Sequence, residues 1–129
     1  MINPSYKHSE LTSKIIGCAM RVHRILGSGF QEVIYQRALA IELNEKQIPF
    51  EREKDMPVYY KGEVVGSRRA DFLVENVVSV ELKALSLIEQ THLLQAKSYL
   101  EAYNVETGLL LNFGRPSLEY KRLINGKYK

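Results

Sequence analysis

The stretch from Arg68 to Ala84 constrains this chain more than any other segment. Two runs rich in Val, Leu and Phe flank Glu75-Asn76, a pair suited to a tight turn, so the segment reads as a β-hairpin. In a strand alternate residues share a face. Within Val77–Ala84, then, Val78, Val80, Leu82 and Ala84 point one way and form a core face. Val77, Ser79, Glu81 and Lys83 point the other way, with Glu81 and Lys83 roughly 7 Å apart along the strand. Asp71 lies in the preceding run, which the turn brings alongside. Two carboxylates and an ammonium thus gather at the end of an otherwise apolar hairpin.

The rest of the chain supplies helices and further strands. Ser9 is placed to cap a helix in which Leu11, Ile15, Ala19, Val22 and Leu26 recur at helical spacing, ended by Gly27-Ser-Gly29. A second helix is expected from about Phe30 to Lys46, with Val33, Ile34, Ala38 and Ile41 as its core face and Leu39 and Leu43 beside them. Pro49 and Pro57 bracket a short strand around Phe50–Lys54. Val58–Val65 reads as a separate hairpin turning at Lys61-Gly62. A third helix is expected over Ile88–Tyr103, with Leu93, Ala96 and Leu100 inward. Gly108–Phe113 is a short apolar run typical of a fully buried strand, and Leu118–Ile124 suits an edge strand. This order gives an α/β or α+β class with a mixed sheet.

At 129 residues the chain fits a single domain, 1–129, with no repeat and no linker. Its formal charge of +3 tolerates a polyanionic partner without demanding one. One cysteine, Cys18, excludes an internal disulfide and a cysteine-based zinc site; its apolar surroundings suit a buried small hydrophobe. The first eight residues lack the apolar core of a signal peptide, and no apolar run approaches the roughly 20 residues that span a bilayer. A cytoplasmic protein without membrane association is the expectation.

The charged cluster has two readings. Glu-x-Lys alone is common on half-exposed strands as a weak surface pair. With Asp71 beside it, two neighbouring carboxylates repel, and a hard cation relieves that repulsion. Magnesium suits one or two carboxylates completed by waters and phosphate oxygens. Lys83 can then orient a water or neutralise charge growing at phosphorus. On the following helix Gln95 and Tyr99 stand at i and i+4 on one face, with His92 one turn before Gln95. A solvated Gln and a core-edge Tyr is the alternative there.

At these residues the chain resembles the PD-(D/E)XK nuclease superfamily, and Gln95-x-x-x-Tyr99 is similar to its RecB-like branch. Upstream, Gly29-Phe-Gln-Glu32-Val-Ile-Tyr35 resembles the signature of the GxxExxY proteins. The likeness continues through Tyr60-Lys-Gly62, Arg69-Ala-Asp71, Glu81-Leu-Lys83 and Gly108–Gly114. It implies a restriction-endonuclease-like core, a mixed central sheet flanked by helices. It implies a metal, Mg2+ or Mn2+, held by Asp71, Glu81, the Leu82 carbonyl and Glu32, with Lys83 as the catalytic lysine and Gln95 supporting it. Arg69, Gln95, Tyr99 and Tyr35 become candidate substrate contacts, although Tyr35 equally suits hydrogen bonding to Glu32 or packing. Ala70 stands where the motif has proline, and His8, His23 and His92 match no metal-ligand pattern.

The resulting expectation is a metal-dependent nuclease hydrolysing phosphodiester bonds in DNA or RNA. The rival is a nuclease fold that binds nucleic acid or a protein with little turnover. A homodimer is a further expectation, because a domain this small has little surface of its own for a long substrate.

Overall fold

The structure, a computed structural model, describes residues 7–129; the segment read for a leader lies largely outside the described residues. Helices α1 (Ser9–Leu26) and α2 (Glu32–Glu45) come first, then strands β1 (Phe50–Tyr60), β2 (Glu63–Val74) and β3 (Val78–Lys83). Helix α3 (Gln90–Tyr103) follows, then β4 (Thr107–Asn112) and β5 (Glu119–Ile124). The five strands lie in sequence order in one sheet. Pairing is antiparallel except between β3 and β4, which run parallel. A parallel pair needs a long crossover, and α3 provides it. Helices α1 and α2 cover one face and α3 the other, a mixed α/β sheet flanked by helices.

Strand parity decides the core. Val78, Val80 and Leu82 pack with Ile15, Ile16, Tyr35, Leu39 and Leu43 under α1 and α2, as the alternation predicts. Cys18 is buried within that core. Ala96 and Leu100 are buried on α3, and every residue of β4 is buried.

Four sequence expectations are corrected. Ser9 does not cap α1; it is the helix's first residue, and His8 holds the cap position in a left-handed conformation without a side-chain cap. Helices α2 and α3 begin two residues later than expected, at Glu32 and Gln90. On α2 the inward residues are Tyr35, Gln36, Leu39, Ala40 and Leu43, while Val33, Ile34 and Ile41 face outward. The helix is only weakly amphipathic, so apolar spacing alone did not distinguish its faces. Finally, Phe50–Tyr60 is one strand running through Pro57. As an edge strand β1 has β2 alone beside it, and a proline there need forfeit no ladder hydrogen bond.

An interruption in β2 positions the site. The β1–β2 ladder passes from Arg52↔Phe72 to Lys54↔Ala70 and skips Glu53 and Asp71. Glu53 is left-handed, with φ of 52°. On the other side, the β2–β3 ladder ends at Phe72↔Val80. Ala70 and Phe72 share strand parity, yet Ala70 packs toward α3 with Tyr103, while Phe72 joins the core under α1 and α2. The strand therefore rotates about Asp71, which sits where β2 parts from β3. Irregularities of this kind re-aim a side chain.

Candidate functional site

At the parting of β2 and β3, Asp71 bridges the gap with its side chain. Its Oδ2 accepts a hydrogen bond from the Leu82 N–H at 2.7 Å, replacing a ladder bond. In a strand the N–H and C=O of one residue point to the same side. The Leu82 carbonyl consequently faces Asp71 too, consistent with the Lys83 carbonyl pointing the other way to accept from the Phe113 N–H at 2.8 Å. Gln36 of α2 donates through Nε2 to Asp71 Oδ1 at 3.4 Å.

Glu81 lies beside Asp71 and is buried, with 9% of its surface exposed. Among the described residues its Oε1 has no hydrogen-bond partner. Burial, and then the charge of Asp71, push its carboxyl up to about 8. Burial also raises Asp71, opposed by the Leu82 N–H and the Lys83 charge. Lys83 is half-buried and favours the ionised form of both carboxylates, but forms no direct ion pair with either among the described residues. A buried carboxylate oxygen without a partner, beside a second carboxylate, is a site short of positive charge.

Arg68 supplies part of that charge. Its guanidinium lies over the Tyr99 ring at 3.8 Å, and its Nε is buried without a partner among the described residues. It too favours the charged forms of Asp71 and Glu81. Tyr99 stacks on Tyr103 with centroids 6.1 Å apart. Burial and then the Glu81 charge push the Tyr103 hydroxyl up to about 12.

The structure thus brings together Asp71, Glu81, Lys83 and the Leu82 backbone. It does not bring Glu32 to them: Glu32 is exposed, and among the described residues no third His, Cys, Asp or Glu joins the pair. Gln36, one turn later on α2, reaches Asp71 instead. Gln95 is exposed and makes no hydrogen bond to either carboxylate among the described residues. Arg69 is exposed and pairs with Asp55 at 3.3 Å. Tyr99 serves as the platform under Arg68. Tyr35 is fully buried; its hydroxyl donates to the Gly27 carbonyl at 2.6 Å and accepts from the Phe30 N–H at 3.1 Å, while its ring stacks on Phe113. It has no surface from which to touch a substrate, so packing is its role. His92 accepts the Glu89 N–H at 2.9 Å within the capping box of α3.

Sequence reasoning missed Gln36, the stacking of Arg68 on Tyr99, and Asn112. Gln36 carried a signal, a polar residue inside the Tyr35–Leu39–Leu43 stripe, hidden once the wrong face of α2 was chosen. Asn112 is fully buried on β4; its side chain accepts from Leu85 N–H at 2.8 Å and donates to the Leu85 carbonyl at 3.0 Å. That clamp fixes the chain two residues beyond Lys83.

A sheet forked at an Asp, with Glu-x-Lys on the adjacent strand and helices on both faces, defines the nuclease-type α/β class. The profile of the PD-(D/E)XK nuclease superfamily matches residues 9–123. The chain belongs to that superfamily. Comparison with curated proteins gives no match. Among solved structures, the crystal structure of SSO0001 is similar in fold, with a TM-score of 0.55 and 22% identity over 90% of this chain. This chain spans 59% of that protein. Among the described residues, no helix is long and apolar enough to cross a membrane.

Proposed function

We propose that this chain is a divalent-metal-dependent nuclease of the GxxExxY kind, hydrolysing phosphodiester bonds in DNA or RNA. The observation that carries the reading is the buried Asp71–Glu81 pair with its unpartnered Glu81 Oε1. Two neighbouring carboxylates, completed by waters and phosphate oxygens, suit Mg2+ or Mn2+. Asp71, Glu81 and the Leu82 carbonyl would hold the ion, and Glu32 falls outside that set. When bound, the ion supplies charge neutralisation at the phosphodiester and a water more acidic than bulk water.

The chain's own groups do the remainder. Gln36 and the Leu82 N–H fix the Asp71 carboxylate, so its orientation is set before substrate arrives. Lys83, on the Glu81 face of β3, donates to a phosphate oxygen or to the attacking water and offsets negative charge growing at phosphorus. Arg68, held flat on Tyr99, adds a second positive charge beside the pair. Gln95, exposed midway along α3, and Arg69, exposed on β2 beside Asp55, are left as contacts to the substrate backbone. The outward Val33, Ile34 and Ile41 on α2 support the expectation of a homodimer.

The test is cleavage of a mixed nucleic-acid pool with and without Mg2+ or Mn2+. Wild type cleaves only with metal, and Asp71→Ala and Lys83→Ala each lose about 100-fold or more. Residual activity in both preparations equal to that of wild type would sink the assignment. The rival, a binding module, is favoured by the absence of a third acidic residue among the described residues. Salt-dependent nucleic-acid binding with no cleavage under either metal would establish it.

A further inference from the structure

A cavity of about 470 Å³ opens between α1 and α2, and no residue of the carboxylate site lines it. Lys14, Arg21 and Arg24 reach it from one side of α1, and Glu42 and Lys46 from the end of α2. Four cations face one carboxylate, a local excess equal to the formal +3 of the entire chain. Glu42 is committed to Arg21 at 3.4 Å. Lys14, Arg24 and Lys46 are exposed and carry no ion pair among the described residues. Like charges held together repel, and an anion of two or three charges relieves that repulsion.

The floor is apolar. Gly17 leaves it open, since a Cβ there would meet nothing within 4 Å. The buried Cys18 and Ile48 line it as well. The volume lies within the range of sites for small organic ligands and exceeds what a bare phosphate needs. We infer that this cavity binds a phosphorylated nucleoside, its phosphates against Lys14, Arg24 and Lys46 and its base over Gly17 and Ile48. The phosphates come either from a free nucleotide or from the 5′ end of a nucleic-acid strand.

Calorimetry of the intact protein with ADP, and with adenosine as the uncharged control, tests the site without divalent metal. ADP binds, and adenosine binds at least tenfold more weakly. Lys14→Ala with Arg24→Ala weakens ADP at least tenfold, whereas Glu42→Gln strengthens it several-fold by removing the opposing charge. Gly17→Leu fills the floor while keeping every charge, and also weakens ADP at least tenfold. No binding of ADP, or an unchanged affinity in Gly17→Leu, overturns the proposal. A 5′-phosphorylated oligonucleotide that displaces ADP where its 5′-hydroxyl counterpart does not assigns the strand end. Displacement by neither assigns the free nucleotide, and equal displacement by both reduces the cavity to a generic basic surface and overturns the site.

Discussion

Glu81→Gln is the most discriminating single change in this protein, because it separates the electrostatics of the site from its shape. The Glu81 carboxyl is raised from 4.5 to about 8 by burial and by Asp71. An acid whose folded pKa exceeds its unfolded value holds its proton more tightly in the folded state. Its contribution to stability is complete below the unfolded pKa and is lost as pH rises toward the folded one. The shift is worth roughly 5 kcal/mol in full, of which roughly 4 kcal/mol is lost between pH 5 and pH 9. That is a large part of a small domain's total stability. Urea denaturation without metal at pH 5, 7 and 9 should show wild type losing stability relative to Glu81→Gln by about this amount. Saturating Mg2+ should flatten the wild-type curve, since the ion replaces the proton. Parallel pH curves for the two proteins would refute the reasoning, for they would mean that Glu81 is solvated and ordinary.

Two further substitutions probe the scaffold. Tyr35→Phe keeps the stack on Phe113 but orphans the Gly27 carbonyl, and should cost about 1–3 kcal/mol by denaturation with KM unchanged; a raised KM would restore Tyr35 to the substrate. Gly114→Ala drives a Cβ into the Leu85 backbone, which cannot yield as a side chain can. It should cost about 3 kcal/mol or more and reduce cleavage through displacement of the strand end bearing Lys83, whereas a thermal midpoint at the wild-type value would contradict this close approach.

Period-two alternation made β3 legible in sequence, because each residue of a strand reports its face directly. The same alternation put Glu81 and Lys83 together, and the Glu75-Asn76 turn put Asp71 near them. Helix α2 was less legible: with Val33, Ile34 and Ile41 outside and Tyr35, Leu39 and Leu43 inside, both faces carry apolar residues. Choosing between them depends on what the sheet offers in return, a tertiary matter. The break at Asp71 was invisible for a related reason. Nothing in Glu53 as a residue type announces a left-handed backbone, a conformation that mostly favours Gly or Asn. Pro57 misled in the opposite direction, since its tolerance depends on β1 lying at the edge.

The long β1–β2 hairpin also bears on how this protein can vary. Strand register is transmitted residue by residue, and a slip of one exchanges the two faces of a strand. The β1–β2 register is the same on both sides of Asp71 and shifts only between Val58 and Tyr59, so the hairpin tip beyond that shift is the part that can slip without moving the carboxylates. Residues can be inserted or deleted around Tyr60-Lys61-Gly62 and the change absorbed at that shift. The outer hairpin is thereby a segment in which length and sequence can drift, reshaping what the domain grips, while the Asp71–Glu81 spacing stays constant.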